Sequence, residues 1–449
     1  MIEALLLDAS QRRARGDIAG AIAACTRAVA IAPDDARGHS RLAHLMLETL
    51  DLQSARLAFE NCVRIAPRDV GYRNNYGMML SYIGDFAGAM DQFKEAIAID
   101  RTCVPAYYNL APITPLDDAP SLAGILESLK ASAQSDLEQS MIGFALGKLY
   151  DDLGDFDRAF DNYQTGNAKK GARYVHAATL EFLKASKSAF SGIKPRSARD
   201  RAEHRQKSVF IVGMPRSGSS LIEDILARQE GVFGLGERTE ISNLAVNLGQ
   251  RHTSRLGYPN CAPHLSDSEL DELSAFYLAS VNRQAKGAPC IVDKQLLNFR
   301  HAPLLRMMFP SAAIIHCIRD PIDTCLSAWF TNFQTGLLFS FDLGDTGRYF
   351  RAYRDLMAHW EQIMPGEVIP IHYEQVVSNK DAVIGDLQER LNLPRSGAAS
   401  IERSAPRHIR TSSAWQVRQP IYNRAVARWK NYEKHLGPLI DALGDLAQR

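Results

Sequence analysis

Residues 213–220 read Gly-Met-Pro-Arg-Ser-Gly-Ser-Ser, which sets one cation and three hydroxyls in and just beyond a two-glycine turn. That chemistry suits an oxyanion. Backbone N–H groups of a glycine turn and a helix start point at the anion, and the Arg216 fork can clamp a phosphate without metal. The frame Gly213-x-x-x-x-Gly218 followed by Ser220 is that of a nucleotide phosphate loop, but Ser219 stands where such a loop carries its Lys. A P-loop kinase or NTPase needs that Lys to reach the β/γ-phosphates, so Ser219 argues against one. The plainer reading is a Ser/Gly turn that binds nothing.

Further candidates follow along the chain. Glu237 comes directly after Gly236, and a carboxylate there is suited to take a proton from a hydroxyl. The plainer alternative makes Glu237 a first-turn helix acid, favoured by the dipole. Arg238 and Glu240 beside it could orient it or an acceptor. Lys294 closes the apolar run Cys290-Ile-Val-Asp-Lys, and Arg319-Asp320-Pro321 closes another, with Ser327 eight residues on. Tyr373 closes a third, where it serves equally as a core aromatic. From Arg395 to Lys430 eight cations face one acid, Glu402, as a polyanionic ligand would require.

These residues need elements to hold them. Ser208 to Val212 is β-branched and aromatic, so it reads as a buried strand. After Ser219, Leu221, Ile222, Ile225 and Leu226 keep helical spacing. Strand, glycine loop, helix is the context that makes a loop motif a phosphate site. Strands are also expected from Pro289, over Ala313–Ile318 and from Glu367, and ligands of open α/β sheets sit at strand C-termini. His252 to Ser266 reads as loop and Asp267 to Gln284 as a long amphipathic helix.

The first third of the chain repeats. Asp17, Asp51 and Asp85 are spaced by 34 residues, as are Pro33 and Pro67, the period of tetratricopeptide repeats. Ala21, Ala55 and Ala89 are small where paired helices cross, and each Pro stops a second helix. A displaced copy carries Asp155 and Ala159, and an irregular repeat with a Pro/Asp loop is expected over Pro112 to Ser140. Such a solenoid either offers a concave surface to a protein or peptide, or serves as a scaffold or dimer contact.

Composition narrows the class. The chain has 449 residues, 46% hydrophobic and 23% charged, with a net charge of +1. No global field points to nucleic acid, and no apolar run approaches a membrane span. The seven cysteines are scattered with no Cys-x-x-Cys pair, which argues against a disulfide framework or zinc site and favours the cytoplasm.

Pro215-Arg-Ser-Gly-Ser-Ser220, Gly236-Glu237, Lys294, Arg319-Asp-Pro…Ser327, Tyr373-Glu374 and Ser413-x-x-Gln416-Val417…Pro420…Arg428-Trp429 together resemble the sulfotransferases, most closely the tyrosylprotein sulfotransferases, over roughly residues 205–435. Joined to the repeats, the pattern is similar to a bacterial family of repeat-containing sulfotransferases. The resemblance implies a donor, 3′-phosphoadenosine-5′-phosphosulfate (PAPS), and no metal. Arg216, Ser217, Gly218, Ser219 and Ser220 would hold its 5′ end, and Arg319 and Ser327 its 3′-phosphate. Tyr373 would lie against the nucleotide. Residues 413–422, including Gln416, would form a flap over it, with Arg428 closing on it. Glu237 would be the base, and Lys294 with Ser413 would stabilise the leaving group. The chain departs from the family in three places. Leu235 and Val292 replace a disulfide, Thr331 stands where another Arg is frequent, and Arg428 replaces a Lys.

The expected architecture is therefore a tetratricopeptide α-solenoid over 1–175, a helix and basic linker over 176–206, and a P-loop-type α/β domain with a central parallel sheet over 207–449. The expected activity is in-line sulfuryl transfer to a hydroxyl, with a protein or peptide acceptor favoured and lipid or saccharide hydroxyls open. The other class of function is a non-enzymatic repeat adaptor with a degenerate transferase domain, against which the intact site residues argue.

Overall fold

The structure, a computed structural model, describes residues 1–49, 51–192, 206–251, 256–333, 336–394 and 425–448. The described residues divide into two units, Met1–Lys170 and those from Gly171 on.

The first unit is a series of antiparallel helix pairs. α1 (Ile2–Ala14) packs on α2 (Ile18–Ile31), α3 (Ala36–Glu48) on α4 (Leu52–Ile65), and α5 (Val70–Ile83) on α6 (Phe86–Ile99). The repeating Asp has a physical job. Asp17, Asp51 and Asp85 are N-caps whose carboxylates accept from the N–H of Gly20, Ser54 and Gly88, each satisfying an orphan donor. Asp155 does the same for Arg158 in the displaced copy. Ala21, Ala55, Ala89 and Ala159 are fully buried at the crossings. The irregular stretch holds α7 (Val104–Leu110) and a full helix, α8 (Ala119–Ser132), which begins on Pro120 in its first turn. α9 (Asp136–Asp152) and α10 (Phe156–Ala168) close the series. They approach so tightly that a Cβ on Gly143 would lie 2.7 Å from the backbone nitrogen of Gly166.

The second unit opens with α11 (His176–Phe190). This helix belongs to the second unit because its apolar side packs there. Phe190 is fully buried, edge-on to Trp360 at 5.9 Å, and Phe182 lies 6.3 Å from Tyr258. β1 (Lys207–Gly213) leads through the glycine loop to α12 (Ser219–Ala227), then β2 (Val232–Gly236), α13 (Glu240–Arg251) and α14 (Asp267–Ala285). β3 (Cys290–Asp293) is followed by a 3₁₀ segment (Leu296–His301), α15 (Ala302–Met308), β4 (Ala313–Ile318) and α16 (Pro321–Trp329). After these come α17 (Leu343–Ile363), β5 (Val368–His372), α18 (Tyr373–Ser378) and α19 (Lys380–Arg390). A further 3₁₀ segment (Arg428–His435) and α20 (Gly437–Leu443) follow.

The five strands form one parallel sheet in the order β2-β3-β1-β4-β5. Alternation along β1 sends Val209 and Ile211 to one face, where they pack with Ile222, Ile225 and Leu226 of α12 and Ile384 and Leu387 of α19. Phe210 points the other way, to Phe309 and Tyr277 at 5.6 and 5.8 Å. β2, with glycines at 234 and 236, is an edge strand that sequence pattern alone does not single out. Its pairing with β3 is irregular between those glycines. Leu235 and Val292, at the positions of the family's disulfide, are buried apolar residues. No helix among the described residues is long and apolar enough to cross a membrane.

Candidate active site

Each strand ends where a candidate begins. β1 runs into the glycine loop, β2 into Glu237, β3 into Lys294, β4 into Arg319 and β5 into Tyr373. A parallel sheet puts all five C-termini on one edge, so residues spread over 160 positions converge there.

The loop is held in an uncommon backbone state. Gly213 sits at φ +146°, and a Cβ on it would be 2.6 Å from the carbonyl oxygen of Cys317 on β4. Arg216 adopts φ +72°, a left-handed conformation that costs any L-residue with a Cβ energy and marks over-determined sites. Gly218, at φ +89°, starts α12 with no side-chain cap. A helix start without a side-chain cap is the kind of place where an anion binds. Ser219 and Ser220 are buried in its first turn. Ser217 is buried too, and its hydroxyl finds no partner among the described residues.

β4 and β5 close on this loop. Arg319 is buried and donates from Nη1 to the carbonyl of Arg216 at 3.0 Å and from Nη2 to that of Ala425. Its guanidinium lies 4.9 Å from the Tyr373 ring centre, while its Nε has no partner among the described residues. The same ring covers Gly218 so closely that a Cβ there would be 2.4 Å from it. Arg216 Nε donates to Ser327 Oγ at 3.1 Å, which joins the candidate 5′ and 3′ groups directly. Thr331 turns back, donating to the Ser327 carbonyl at 2.8 Å. Glu374 accepts from the Asp320 N–H at 2.9 Å. Asp323 accepts from the N–H groups of Ala427 and Trp429 at 2.7 and 3.0 Å, fixing the backbone around Arg428. Burial raises the Asp323 carboxyl above its usual range, against the pull of Arg319. Arg428 itself sits 5.3 Å from the Phe330 ring.

On the other side of β1, Lys294 is 1% exposed and donates to Glu237 Oε1 at 2.6 Å. Glu237 precedes α13 rather than lying in its first turn, and its side chain is half exposed. Arg238 is turned away, paired with Glu240 and donating to Gln284 at 3.2 Å. Two acids escaped the sequence reading, Glu223 partly buried and Asp293 fully. Glu223 of α12 accepts from the Gly236 N–H at 2.7 Å and lies 3.9 Å from Lys294 Nζ, and burial pushes its carboxyl up. Asp293 accepts from Tyr277 Oη at 2.8 Å and from the Gln295 N–H at 2.9 Å, and burial pushes it up to about 7. The signal for Glu223 was an acid on the flank of an otherwise apolar helix. His316, within β4, is buried against Tyr353 and pushed down to about 3 by burial. Ser413 and Gln416 lie outside the described residues. Among the described residues no cluster of His, Cys, Asp or Glu could hold a metal ion.

Residues 208–397 match the model of the Sulfotransferase family. Over 410 residues the chain is 28% identical to an uncharacterized protein of Aquifex aeolicus, covering 89% of this chain and 53% of that one. It is 23% identical to Protein-tyrosine sulfotransferase 1 of Danio rerio over 253 residues, 49% of this chain and 65% of that one. The chain thus spans less than two thirds of the length of these relatives. Among solved structures, the sulfotransferase domain of the Synechococcus PCC 7002 olefin synthase aligns over 56% of this chain and 97% of its own, with 16% identity and a TM-score of 0.40. The second unit carries a sulfotransferase-family domain, and the first has the helical-pair form of tetratricopeptide repeats.

Proposed function

We propose that this protein moves a sulfuryl group from PAPS to a hydroxyl acceptor. The observation that carries the reading is the Lys294–Glu237 pair, set beside an uncapped glycine loop that lacks a phosphate-loop Lys. The donor supplies an activated sulfate whose sulfur–oxygen bond to the 5′-phosphate breaks as the acceptor oxygen attacks.

The residues fit that donor. The unpartnered Ser217 hydroxyl and the loop N–H groups, with Ser219, Ser220 and Arg216, bind the 5′ end around Gly218. Arg319, whose Nε has no partner among the described residues, and Ser327 bind the 3′-phosphate, and Tyr373 stacks beside them. Arg428 and Gln416 close over the nucleotide. Lys294, helped by Ser413, neutralises charge on the oxygen that leaves. Glu237 takes the acceptor proton as the new oxygen–sulfur bond forms. By analogy with phosphoryl transfer, positioning and charge neutralisation do most of the work, and no metal is required.

The tyrosine sulfotransferase relative and the repeats favour a protein or peptide acceptor. The test is calorimetry with 3′,5′-phosphoadenosine and ATP, with and without Mg²⁺, followed by a labelled-donor screen of peptide, saccharide and lipid acceptors. The reading expects 3′,5′-phosphoadenosine to bind far more tightly and without Mg²⁺. Equal or Mg²⁺-dependent ATP binding would sink it.

A further inference from the structure

Two carboxylates, not one, face the buried ammonium of Lys294. Glu237 holds it at 2.6 Å and Glu223 stands 3.9 Å away. Their surroundings differ: the Glu237 side chain is 49% exposed and that of Glu223 13%. Glu223 is also tied to the backbone beneath the base. Its Oε1 accepts from the N–H of Gly236, the residue before Glu237, and the Gly236 carbonyl accepts from the N–H of Lys294 at 2.9 Å. One side chain thus braces both the step that presents Glu237 and the strand end that presents Lys294.

Transfer, as read above, requires Lys294 to let go of Glu237. While the ammonium occupies that carboxylate, its charge is neutralised and its lone pair engaged, which makes it a poor base. Lys294 must move toward the departing oxygen, and a 1% exposed ammonium stripped of its counter-ion is costly. Glu223 does not move with Glu237, because the Gly236 N–H fixes it. We propose that Glu223 is a positioning residue that anchors Lys294 as it passes from Glu237 to the donor and holds the Gly236–Glu237 step in place. The proposal rests on the transferase reading for its mechanism. The other groups around this pair are Asp224, turned to Arg228 at 2.8 Å, and the buried Cys317 thiol on β4, which burial keeps protonated.

The test uses the full chain with Glu223→Gln and Glu223→Asp. Gln keeps an oxygen for the Gly236 N–H and removes the charge, whereas Asp keeps the charge on a shorter arm. The Gln variant should bind 3′,5′-phosphoadenosine within about twofold of the parent, because the nucleotide cradle is built from β1, β4 and β5. Its kcat should fall roughly 10- to 100-fold, the cost typical of losing an outer partner, with little change in donor KM. Asp, which keeps the charge, should recover part of that rate.

A second readout needs no turnover. Crystal structures of the parent and the Gln variant with 3′,5′-phosphoadenosine bound should show Lys294 Nζ held against Glu223 in the parent and displaced in the variant. The same Lys294 position in both overturns the proposal. So does a general loss of stability and nucleotide affinity that Asp does not repair, which marks a merely structural residue. If the parent binds the nucleotide but sulfates nothing, the transferase reading falls while the Lys294 position still decides the part played by Glu223.

Discussion

At the scale of single residues, the proposed roles separate holding the donor from moving the proton. Arg319 works through its contacts with the loop and Tyr373, and Glu237 contacts neither. Glu237→Gln keeps shape and removes the base, so turnover should fall on the order of 10²–10⁴-fold with nucleotide affinity nearly unchanged. Arg319→Ala should do the reverse and mainly weaken 3′,5′-phosphoadenosine. Measuring kcat and calorimetric affinity for both variants separates the roles, and near-normal turnover in the Gln variant would remove Glu237 as base. His316 is a poor substitute, because burial against Tyr353 keeps it neutral and occupied. The sequence made Arg216, Lys294 and Arg319 legible because each ends an apolar run or sits in a glycine frame. Glu223 was hidden, since an acid on a helix reads as solvated until the fold shows it beneath Gly236. The Arg216–Ser327 bond joins positions 111 apart, and local pattern carries no information about such a contact.

At the scale of elements, the proposed nucleotide cradle depends on strands β1, β4 and β5 closing on one glycine. Gly218 combines φ +89° with a Tyr373 ring where its Cβ would go. Gly218→Ala should displace that ring, and Arg319 with it, lowering nucleotide affinity at least about tenfold while the fold persists. Unchanged affinity would mean that the ring is not part of the cradle. Strands rich in Val and Ile were legible, whereas β2 was not, because Gly234 and Gly236 weaken strand pattern and its pairing with β3 supplies what propensity lacks. The second unit also carries buried titrating groups whose signs oppose. His301 and His316 stay neutral in the fold to about pH 3 but protonate near 6.5 when unfolded, so they withdraw stability as pH falls through that window. Asp293, raised to about 7, adds stability that is complete below its unfolded value and lost as pH rises through 7. His316→Gln removes one of the two acid-labile groups and keeps an amide for Tyr353. Its melting temperature should drop less between pH 7 and 5 than that of the parent. Thermal scans across that range check this, and an equal drop would show that His316 protonates within the fold.

At the scale of the whole molecule, repeat spacing foretold a solenoid and then an α/β domain, but not which of them owns the helix between. α11 looks like part of a linker in sequence, because basic residues and Pro195 follow it. The structure gives it to the second unit, where Leu183 and Phe190 are buried and Phe190 meets Trp360, itself fully buried. Lys187 also pairs with Asp355 of α17 at 2.5 Å, though an exposed pair of this kind adds little. The proposed nucleotide contacts all lie after Lys207, so two fragments test where this unit begins. Residues 171–449 keep α11 and should fold and bind 3′,5′-phosphoadenosine with affinity close to the full chain. Residues 207–449 retain the same contacts but uncover Trp360 and Tyr258. Losing the packing of Phe190 alone costs about 3–5 kcal/mol by the usual scale of buried aromatic deletions, a large share of the stability of a domain. That shorter fragment should melt well below the longer one or fail to stay soluble. Thermal denaturation and calorimetry on both decide the matter. If the shorter fragment matches the longer in both, α11 is dispensable, and the second unit begins at the phosphate-loop strand. If the longer fragment folds but cannot bind the nucleotide, the repeats contribute to the site.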